Sequence, residues 1–182
     1  MKIKLNKVRL SFPDLFQAVE FKTGDGKPRF NATFLIEPGS EHDKAIEAAI
    51  KATALEVHGA KSEKFLASIR GNANKCAYLD GDTKEYDGYE GLMFLACHSK
   101  VRPTVLDRDK TPLTAADGKP YAGCFVNAIV DVYALKGENP GVFAAFSGVQ
   151  FHSDGEAFGG GRPASADEFD DVTDGADADD FS

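Results

Sequence analysis

Apolar residues recur with the two-residue period of a β-strand along most of this chain, and few segments follow the period of a helix. In residues 29–37 every second side chain is apolar, which gives a strand with one buried face. The apolar run 91–99 predicts a buried strand. Residues 121–135 and 142–151 are β-rich and joined by a short loop, so they predict an antiparallel hairpin. The chain is therefore expected to be mainly β.

The first strand, residues 2–10, needs one irregularity to bury its apolar side chains. In this segment the two apolar residues before Asn6 and the two after it fall on opposite faces of a regular strand. A single β-bulge near Asn6 returns all four to one face and turns the basic residues outwards. We therefore expect a bulged first strand with a basic outer face.

One helix is clearly marked at both ends. Ser40 is suited to cap its first turn, with Asp43 three residues later, and Gly59 ends it. A shorter amphipathic piece at 62–70 follows. Strands without regular helical crossovers argue against a doubly wound parallel sheet. The sequence therefore predicts a small closed or partly open β-barrel of five or more strands, with one inserted α-helix and long loops.

The C-terminal segment, residues 167–182, carries eight carboxylates and no Lys or Arg. The whole chain has 21 basic and 29 acidic residues, so removing these eight leaves a neutral body. A segment of this composition cannot bury enough apolar surface to fold and is typical of a disordered interaction tail. We therefore divide the chain into a folded domain at 1–152, a Gly-rich flexible hinge at 153–166 and an acidic tail at 167–182.

The acidic tail has two physical uses. It can lie on a basic groove of its own domain in place of a polyanion, or it can present its aromatic side chain to a partner protein. Keeping the protein soluble is the plainer alternative. The residues assigned to this regulatory or partner-binding role are Asp170, Asp171, Asp174, Asp177, Asp179, Asp180 and Phe181.

Two turns with the sequence Asp-Gly-Lys-Pro, at 25–28 and 117–120, each present a lysine that is followed, after the proline, by Arg or an aromatic residue. A basic cluster at 100–110 lies between them in the sequence. Cations for phosphates and exposed aromatic rings for bases are what a single-stranded nucleic acid requires. Ordinary turns and ordinary surface charge are the alternatives. The candidate DNA-binding residues are Lys27, Arg29, Tyr86, Tyr89, Lys100, Arg102, Arg108, Lys110, Lys119 and Tyr121.

No enzymatic or metal-binding signature is complete in the sequence. Asp107 and Asp109 could begin a divalent-metal site, but the residues after them do not continue the EF-hand pattern. The four histidines are scattered, and Ser147 and Ser153 lack the G-x-S-x-G context of a catalytic nucleophile. The cysteines Cys76, Cys97 and Cys124 lack the spacing of zinc ligands and are expected to be reduced. We therefore expect no enzymatic activity, no cofactor and no metal.

Several short motifs follow one another in a fixed order along essentially the whole chain. They are Ser11-Phe12-Pro13-Asp14-Leu15-Phe16, Gly26-Lys27-Pro28-Arg29-Phe30 leading into 31–36, Arg102-Pro103, Ala116-Asp117-Gly118, residues 121–127 and Gly148-Val149-Gln150-Phe151. A Gly-rich hinge and the acidic tail complete the series. This order resembles that of phage-encoded single-stranded DNA-binding proteins with an OB fold, a family first catalogued as a domain of unknown function.

The resemblance implies an OB-fold-like five-stranded antiparallel barrel at 1–152, with one inserted α-helix, long loops and a disordered acidic tail. It implies that this barrel binds single-stranded DNA independently of sequence in phage DNA replication, recombination or repair. It also implies a tail that competes with DNA or recruits replication proteins such as a polymerase or a helicase. In this chain the last residue is Ser182 and not Phe181, which would alter a tail that is recognised through a terminal aromatic carboxylate.

The sequence also bears on the location and assembly of the protein. Neither a signal peptide nor an apolar stretch of membrane-spanning length is evident, so a cytoplasmic protein without a membrane partner is expected. For a phage protein this is the host cytoplasm. The sequence leaves a homodimer open.

Three other functions remain open at the level of the sequence. A protein-interaction module on the same barrel would use the tail as its ligand and lack DNA affinity. A metal-dependent nuclease would require Asp107 and Asp109. A virion structural protein would assemble into large oligomers. Because the body is neutral, DNA binding requires that its basic residues lie together on one face.

Overall fold

The computed structural model describes residues 1–20, 26–159 and 168–173 and is mainly β. Short 3-10 turns accompany the longer elements. Those longer elements, in chain order, are β1 Lys2–Val19, β2 Arg29–Ile36, α1 Glu41–His58, α2 Ser62–Ile69, β3 Tyr78–Asp80, β4 Met93–Ser99, β5 Thr104–Leu106, β6 Phe125–Leu135 and β7 Gly141–Ser153.

Five of the strands close into a barrel. Antiparallel ladders join β4 to β2, β2 to β1, β1 to β6 and β6 to β7. A parallel pairing of β4 with β7, Cys97 with Ala144 and His98 with Ala145, closes the ring. The expected OB-like barrel is confirmed, but it is mixed and not purely antiparallel. The long stretch that separates β4 from β7 allows this, because parallel neighbours need a long connection.

The closing join, or seam, between β4 and β7 is completed by the segment Lys75–Ala77. Val142 donates its amide to the Lys75 carbonyl, and the Ala77 amide donates to the Val142 carbonyl. On the other side, the Ala96 amide of β4 donates to the carbonyl of Ala77. The seam therefore consists of a short direct pairing and an inserted segment that satisfies backbone groups of both strands.

The first strand contains the expected irregularity. The register between β1 and β6 shifts between Leu5 and Val8, and Lys7 within the shift has φ 50°. Leu5, Val8 and Leu10 are consequently all buried, while Lys7 is exposed. The bulge predicted near Asn6 is confirmed, although β1 continues further than expected, to Val19.

The helix α1 begins and ends where the sequence indicated. The Ser40 hydroxyl accepts a hydrogen bond from the Asp43 amide at 3.2 Å, and Gly59 lies at the C-terminal end. Its apolar face, including Ile46 and Ile50, is buried and packs on β6. The capping residues thus decide the ends of α1, and burial of its apolar stripe holds it on the barrel.

β5 begins only at Thr104, because Pro103 just before it has no amide to donate to a ladder. One boundary of the folded body differs from expectation. Residues 154–159, assigned to the flexible hinge, pack against the barrel: the Phe158 amide donates to the Ala122 carbonyl at 3.0 Å. The folded body therefore extends to Gly159, beyond the boundary expected at 152.

The three cysteines are free and buried, as small apolar side chains would be. Burial raises the pKa of each thiol, and that of Cys124 rises to about 11. In the described part of the chain, no helix has the length and apolarity needed to cross a membrane.

Candidate nucleic-acid interface

A cleft of about 760 Å³ lies over the outer face of β1, β2 and β4, beneath the loop that precedes β4. Two pairs of residues that face each other in the strand register form its floor. Ser11 of β1 is opposite Thr33 of β2, while Asn31 of β2 is opposite His98 of β4. We call this feature the aromatic cleft; its main lining residues are Ser11, Phe12, Asn31, Tyr86, His98 and Phe158.

One wall of the aromatic cleft is a series of touching rings. Phe12 and Tyr86 meet edge to face with centroids 4.8 Å apart, and Tyr86 meets Tyr89 at 5.2 Å. Tyr89 in turn lies 5.3 Å from Phe94 of β4. The wall therefore runs from the solvent-facing rim down to the core, in the geometry that aromatic pairs prefer.

The two outer rings of this wall are open to solvent. Phe12 is 53% exposed and Tyr86 is 48% exposed, although both are large aromatic residues. Phe12 also has φ 47°, a left-handed conformation that a bulky residue rarely adopts. A strained backbone that holds an apolar ring in water is typical of a binding site.

Tyr89 and Tyr121 were expected to be exposed for base stacking, and this expectation is wrong. Tyr89 is 2% exposed and donates its hydroxyl proton to Ser11 Oγ at 2.9 Å. Tyr121 is 7% exposed and its hydroxyl donates to Asp154 Oδ1 at 2.6 Å. Burial raises the pKa of both phenols. Each ring anchors a loop, and Tyr89 supports the outer rings of the cleft.

The floor of the cleft carries a hydrogen-bonded row of three side chains. Asn31 Nδ2 donates to Asp14 Oδ2 at 2.9 Å, and Asn31 Oδ1 lies 2.6 Å from His98 Nδ1. Because the carboxylate can only accept, the amide nitrogen must face Asp14, and His98 Nδ1 must therefore carry a proton. Desolvation of the ring, and then the positive charge of Arg29, lower the pKa of His98. The neutral imidazole thus keeps an acceptor lone pair on Nε2.

Arg9 and Phe158 form the rim of the cleft on the side of β1. The guanidinium carbon of Arg9 lies 4.2 Å from the centroid of the Phe158 ring, a cation–π contact. Arg9 also donates to the carbonyls of Gly123, at 3.0 Å, and Glu156, at 2.6 Å. A side chain at Gly88 would meet the Phe158 ring at 2.6 Å, so Gly88 permits this close approach. One cation is thereby fixed at the mouth of the cleft.

The cations predicted from the sequence are distributed over more than one region. Lys27 and Arg29 precede and begin β2, and Arg29 is near enough to His98 to affect its pKa. Lys119 Nζ pairs with Asp107 Oδ2 at 3.1 Å and lies 5.0 Å from the centroid of the Phe151 ring.

The remaining predicted cations are exposed in loops. Arg108 and Lys110 lie in the turn after β5, while Lys100 and Arg102 lie in the loop before it. Arg102 lines a separate, smaller depression of about 220 Å³. Of the tyrosines and cations predicted from the sequence, the structure therefore places Tyr86 and Tyr89 in the aromatic cleft and Arg29 beside it.

Several cleft residues were missed by the sequence reasoning, above all Phe12, Arg9 and the row from Asp14 to His98. Phe12 gave one usable signal, since an aromatic beside Pro13 on the polar face of a strand has no obvious place in the core. The hydrogen-bonded row of Asp14, Asn31 and His98 gave no signal in the sequence. These residues are far apart in the chain and meet only through strand register.

Asp107 and Asp109, the two carboxylates that a metal-dependent nuclease would require, stabilise a turn. Asp109 Oδ1 accepts from the Thr111 hydroxyl at 2.6 Å, and Asp107 accepts from the Arg108 amide at 2.8 Å. These hydrogen bonds lower the pKa of both carboxyl groups. Among the residues that the structure describes, no group of three or more His, Cys, Asp or Glu side chains could hold a metal ion.

Two of the tail residues fall in the described part of the chain. Asp170 and Asp171 are exposed, and Asp171 Oδ1 accepts hydrogen bonds from the amide and hydroxyl of Thr173. Asp174, Asp177, Asp179, Asp180 and Phe181 lie outside the described residues.

Comparison with known proteins finds a family match over the whole chain. The family described as Enterobacter phage Enc34, ssDNA-binding protein matches residues 1–182. A protein designated p50, from Acyrthosiphon pisum secondary endosymbiont phage 1, is 49% identical over 176 residues, which is 95% of each chain.

Solved structures share the fold. One is the single-stranded DNA-binding protein from bacteriophage Enc34 in complex with ssDNA, with a TM-score of 0.72 and 22% identity over 87% of this chain and 89% of that chain. Another is gp2.5, a single-stranded DNA-binding protein encoded by bacteriophage T7, with a TM-score of 0.53 and 11% identity over 93% and 97%. At these identities the likeness concerns the architecture of the barrel.

Proposed function

Because the chain belongs to the family of the Enterobacter phage Enc34 ssDNA-binding protein, we propose that it binds single-stranded DNA and does so in the aromatic cleft. The observation that supports this site is the exposed pair Phe12 and Tyr86. Every nucleobase has a flat face that can stack on such rings, at about 1–3 kcal/mol per base. Two rings that stand in solvent at the rim of a cleft can therefore bind bases without regard to sequence.

The positively charged side chains beside the cleft are suited to bind the phosphates of the DNA backbone. Arg9 is held at the rim by carbonyl groups and by the Phe158 ring, so its charge is not neutralised by a carboxylate in these contacts. Arg29 begins β2 and is near enough to His98, at the other end of the row, to lower its pKa, and Lys27 precedes it in the chain. We expect the backbone of the DNA to follow these cations while its bases face the rings. Affinity then falls as salt rises, because bound phosphates release counterions.

We expect the bound DNA to continue from Arg9 along the surface of the barrel. Arg9 is paired in register with Phe125, and Lys7 Nζ lies 5.9 Å from the centroid of that ring. Lys7 donates its amide to Asn127, whose side chain bonds to Gln150, and Gln150 reaches the carbonyls of the turn that carries Arg108. Continuous contacts thus link the cleft to the region of the predicted cations Arg108, Lys110 and Lys119. Lys100 and Arg102 are the weakest candidates for DNA binding, since their loop lies outside this series of side-chain contacts.

The role of the acidic tail is the second part of the proposal. A segment with eight carboxylates is attracted to the same cations as DNA, so we propose that it competes for them and is displaced by a bound strand. The displaced tail is then available to a replication protein such as a polymerase or a helicase, in phage DNA replication, recombination or repair. The packing of residues 154–159 at the rim supports this idea, because it brings the start of the connection to the tail beside Arg9.

The test of DNA binding is fluorescence anisotropy with a labelled oligothymidylate at low and moderate salt. We expect salt-sensitive binding by the full chain, and weaker binding by Phe12→Ala and Tyr86→Ala. Leu55→Ala on α1 removes another exposed apolar side chain and is the matched control. Absence of binding at low salt would refute the function. Normal binding by both aromatic variants would refute the site.

A truncation after residue 166 tests the tail in the same assay. Tighter binding by the truncated protein, with the difference lost at high salt, is expected of an electrostatic competitor. Equal affinity of the two proteins at low salt would rule out competition and leave recruitment of a protein partner as the use of the tail.

A further inference from the structure

The aromatic cleft has an unusual charge for a place where DNA binds. Its described lining includes the carboxylates Asp14, Glu85 and Asp87 and contains neither Lys nor Arg. A phosphate is therefore repelled from the interior of the cleft, and its place is at the rim with Arg9. The part of a single strand that suits the cleft is uncharged, flat and able to donate hydrogen bonds, which describes the edge and faces of a nucleobase.

The floor is built as a row of acceptors. Asn31 is only 6% exposed, and both ends of its amide are used by Asp14 and His98. This arrangement leaves Asp14 Oδ1 and His98 Nε2 as acceptors at the two ends of the row. The orientation of the row is imposed by the carboxylate, so it cannot reverse to present donors instead.

From this geometry, and on the basis of the proposed function, we propose that the aromatic cleft selects nucleobases that present N–H donors. Guanine offers an imino and an amino group side by side, whereas cytosine and adenine each offer one amino group. Thymine offers a single N–H between two carbonyl oxygens, which face carboxylates unfavourably. The protein then binds any single strand by stacking and phosphate contacts, with one position that favours guanine and disfavours thymine.

The preference for guanine depends on the difference between the cost of an unpaired hydrogen-bonding group and the gain from a paired one. An acceptor that loses water and meets another acceptor is left unpaired, and this costs more than a satisfied pair gains. Sites built to hydrogen-bond one group therefore discriminate strongly against analogues that lack it. For a single base position we expect the affinity to change by about fivefold or more.

The experiment is a competition assay with the full-length protein and a labelled oligothymidylate. The competitors are the same oligothymidylate and versions with guanine, cytosine or adenine at one central position. We expect guanine to compete best and the unmodified oligomer worst. Equal competition by all four overturns the proposal while leaving DNA binding intact, and assigns the carboxylates to another ligand, such as a cationic protein side chain. Binding of no oligonucleotide overturns both this proposal and the proposed function.

Variants locate the origin of the preference. Asp14→Asn and His98→Leu each remove one acceptor, and each is expected to reduce the ratio between the guanine-containing and all-thymine oligomers. Glu90→Gln neutralises an exposed carboxylate that does not line the cleft and should keep the wild-type ratio. Thermal melting checks that the variants are folded. If both cleft variants are folded and retain the full ratio, the preference arises elsewhere and the proposal fails.

Discussion

Replacing Phe12 separates its role in binding from the strain that it imposes on the fold. About half of this residue is buried against Tyr86 and its neighbours. An aromatic side chain buries about 150–250 Å² when fully enclosed, so the half that is buried corresponds to roughly 2 kcal/mol of stability at about 25 cal/mol per Å². Phe12→Ala should lose this amount and remain strained, because alanine also disfavours φ 47°.

Phe12→Gly removes the same ring but accepts the left-handed backbone. It should therefore be more stable than Phe12→Ala by about 1 kcal/mol. Both variants lose the same stacking surface, so both should bind a single strand about 5- to 150-fold more weakly, which corresponds to about 1–3 kcal/mol. Urea unfolding gives the stabilities, and anisotropy with an oligothymidylate gives the affinities. Equal stability of the two variants would refute the strain, and wild-type affinity in either would refute the stacking role.

Three further outcomes follow from the same region. Arg9→Ala should reduce the slope of log affinity against log salt by about 0.7 for each phosphate that the arginine neutralises, whereas Lys51→Ala on α1 should leave it unchanged in a salt titration. Gly88→Ala should lower the free energy of unfolding, measured in urea, by about 1–2 kcal/mol, because its φ of 82° and the nearby Phe158 ring oppose a side chain. Since the pKa of His98 is lowered by folding, its neutral form stabilises the protein above pH 6.5, and stability should fall as the pH drops below that value. His98→Gln should flatten this pH dependence in thermal melts, and an unchanged profile would contradict the role of His98.

Local sequence rules predicted the elements whose causes are local. The ends of α1 follow from Ser40 and Gly59, and the bulge in β1 follows from the parity of its apolar residues. The order of the motifs identified the family and, with it, a DNA-binding protein and not an enzyme, and the family match confirms both expectations. The helix ends and the bulge are visible in the sequence because each depends on residues that are neighbours in the chain.

Features that depend on distant contacts were not accessible in this way. Whether Tyr89 is a stacking platform or a buried anchor is decided by Ser11, which is 78 positions away. The burial of Tyr121 depends in the same way on Asp154. The parallel closure of the barrel and the acceptor row from Asp14 to His98 likewise arise from strand register, which a single sequence does not specify at long range.

Opening of the short seam between β4 and β7 should depend on whether a ligand occupies the aromatic cleft. His98 belongs both to this closing pair and to the lining of the cleft. A ligand that contacts His98 therefore stabilises the closed ring relative to forms in which the two strands have separated. Amide protons near the seam exchange through such local openings, so their exchange should slow when the cleft is filled. The barrel would in this way convert a contact on its outer surface into resistance to opening along its length.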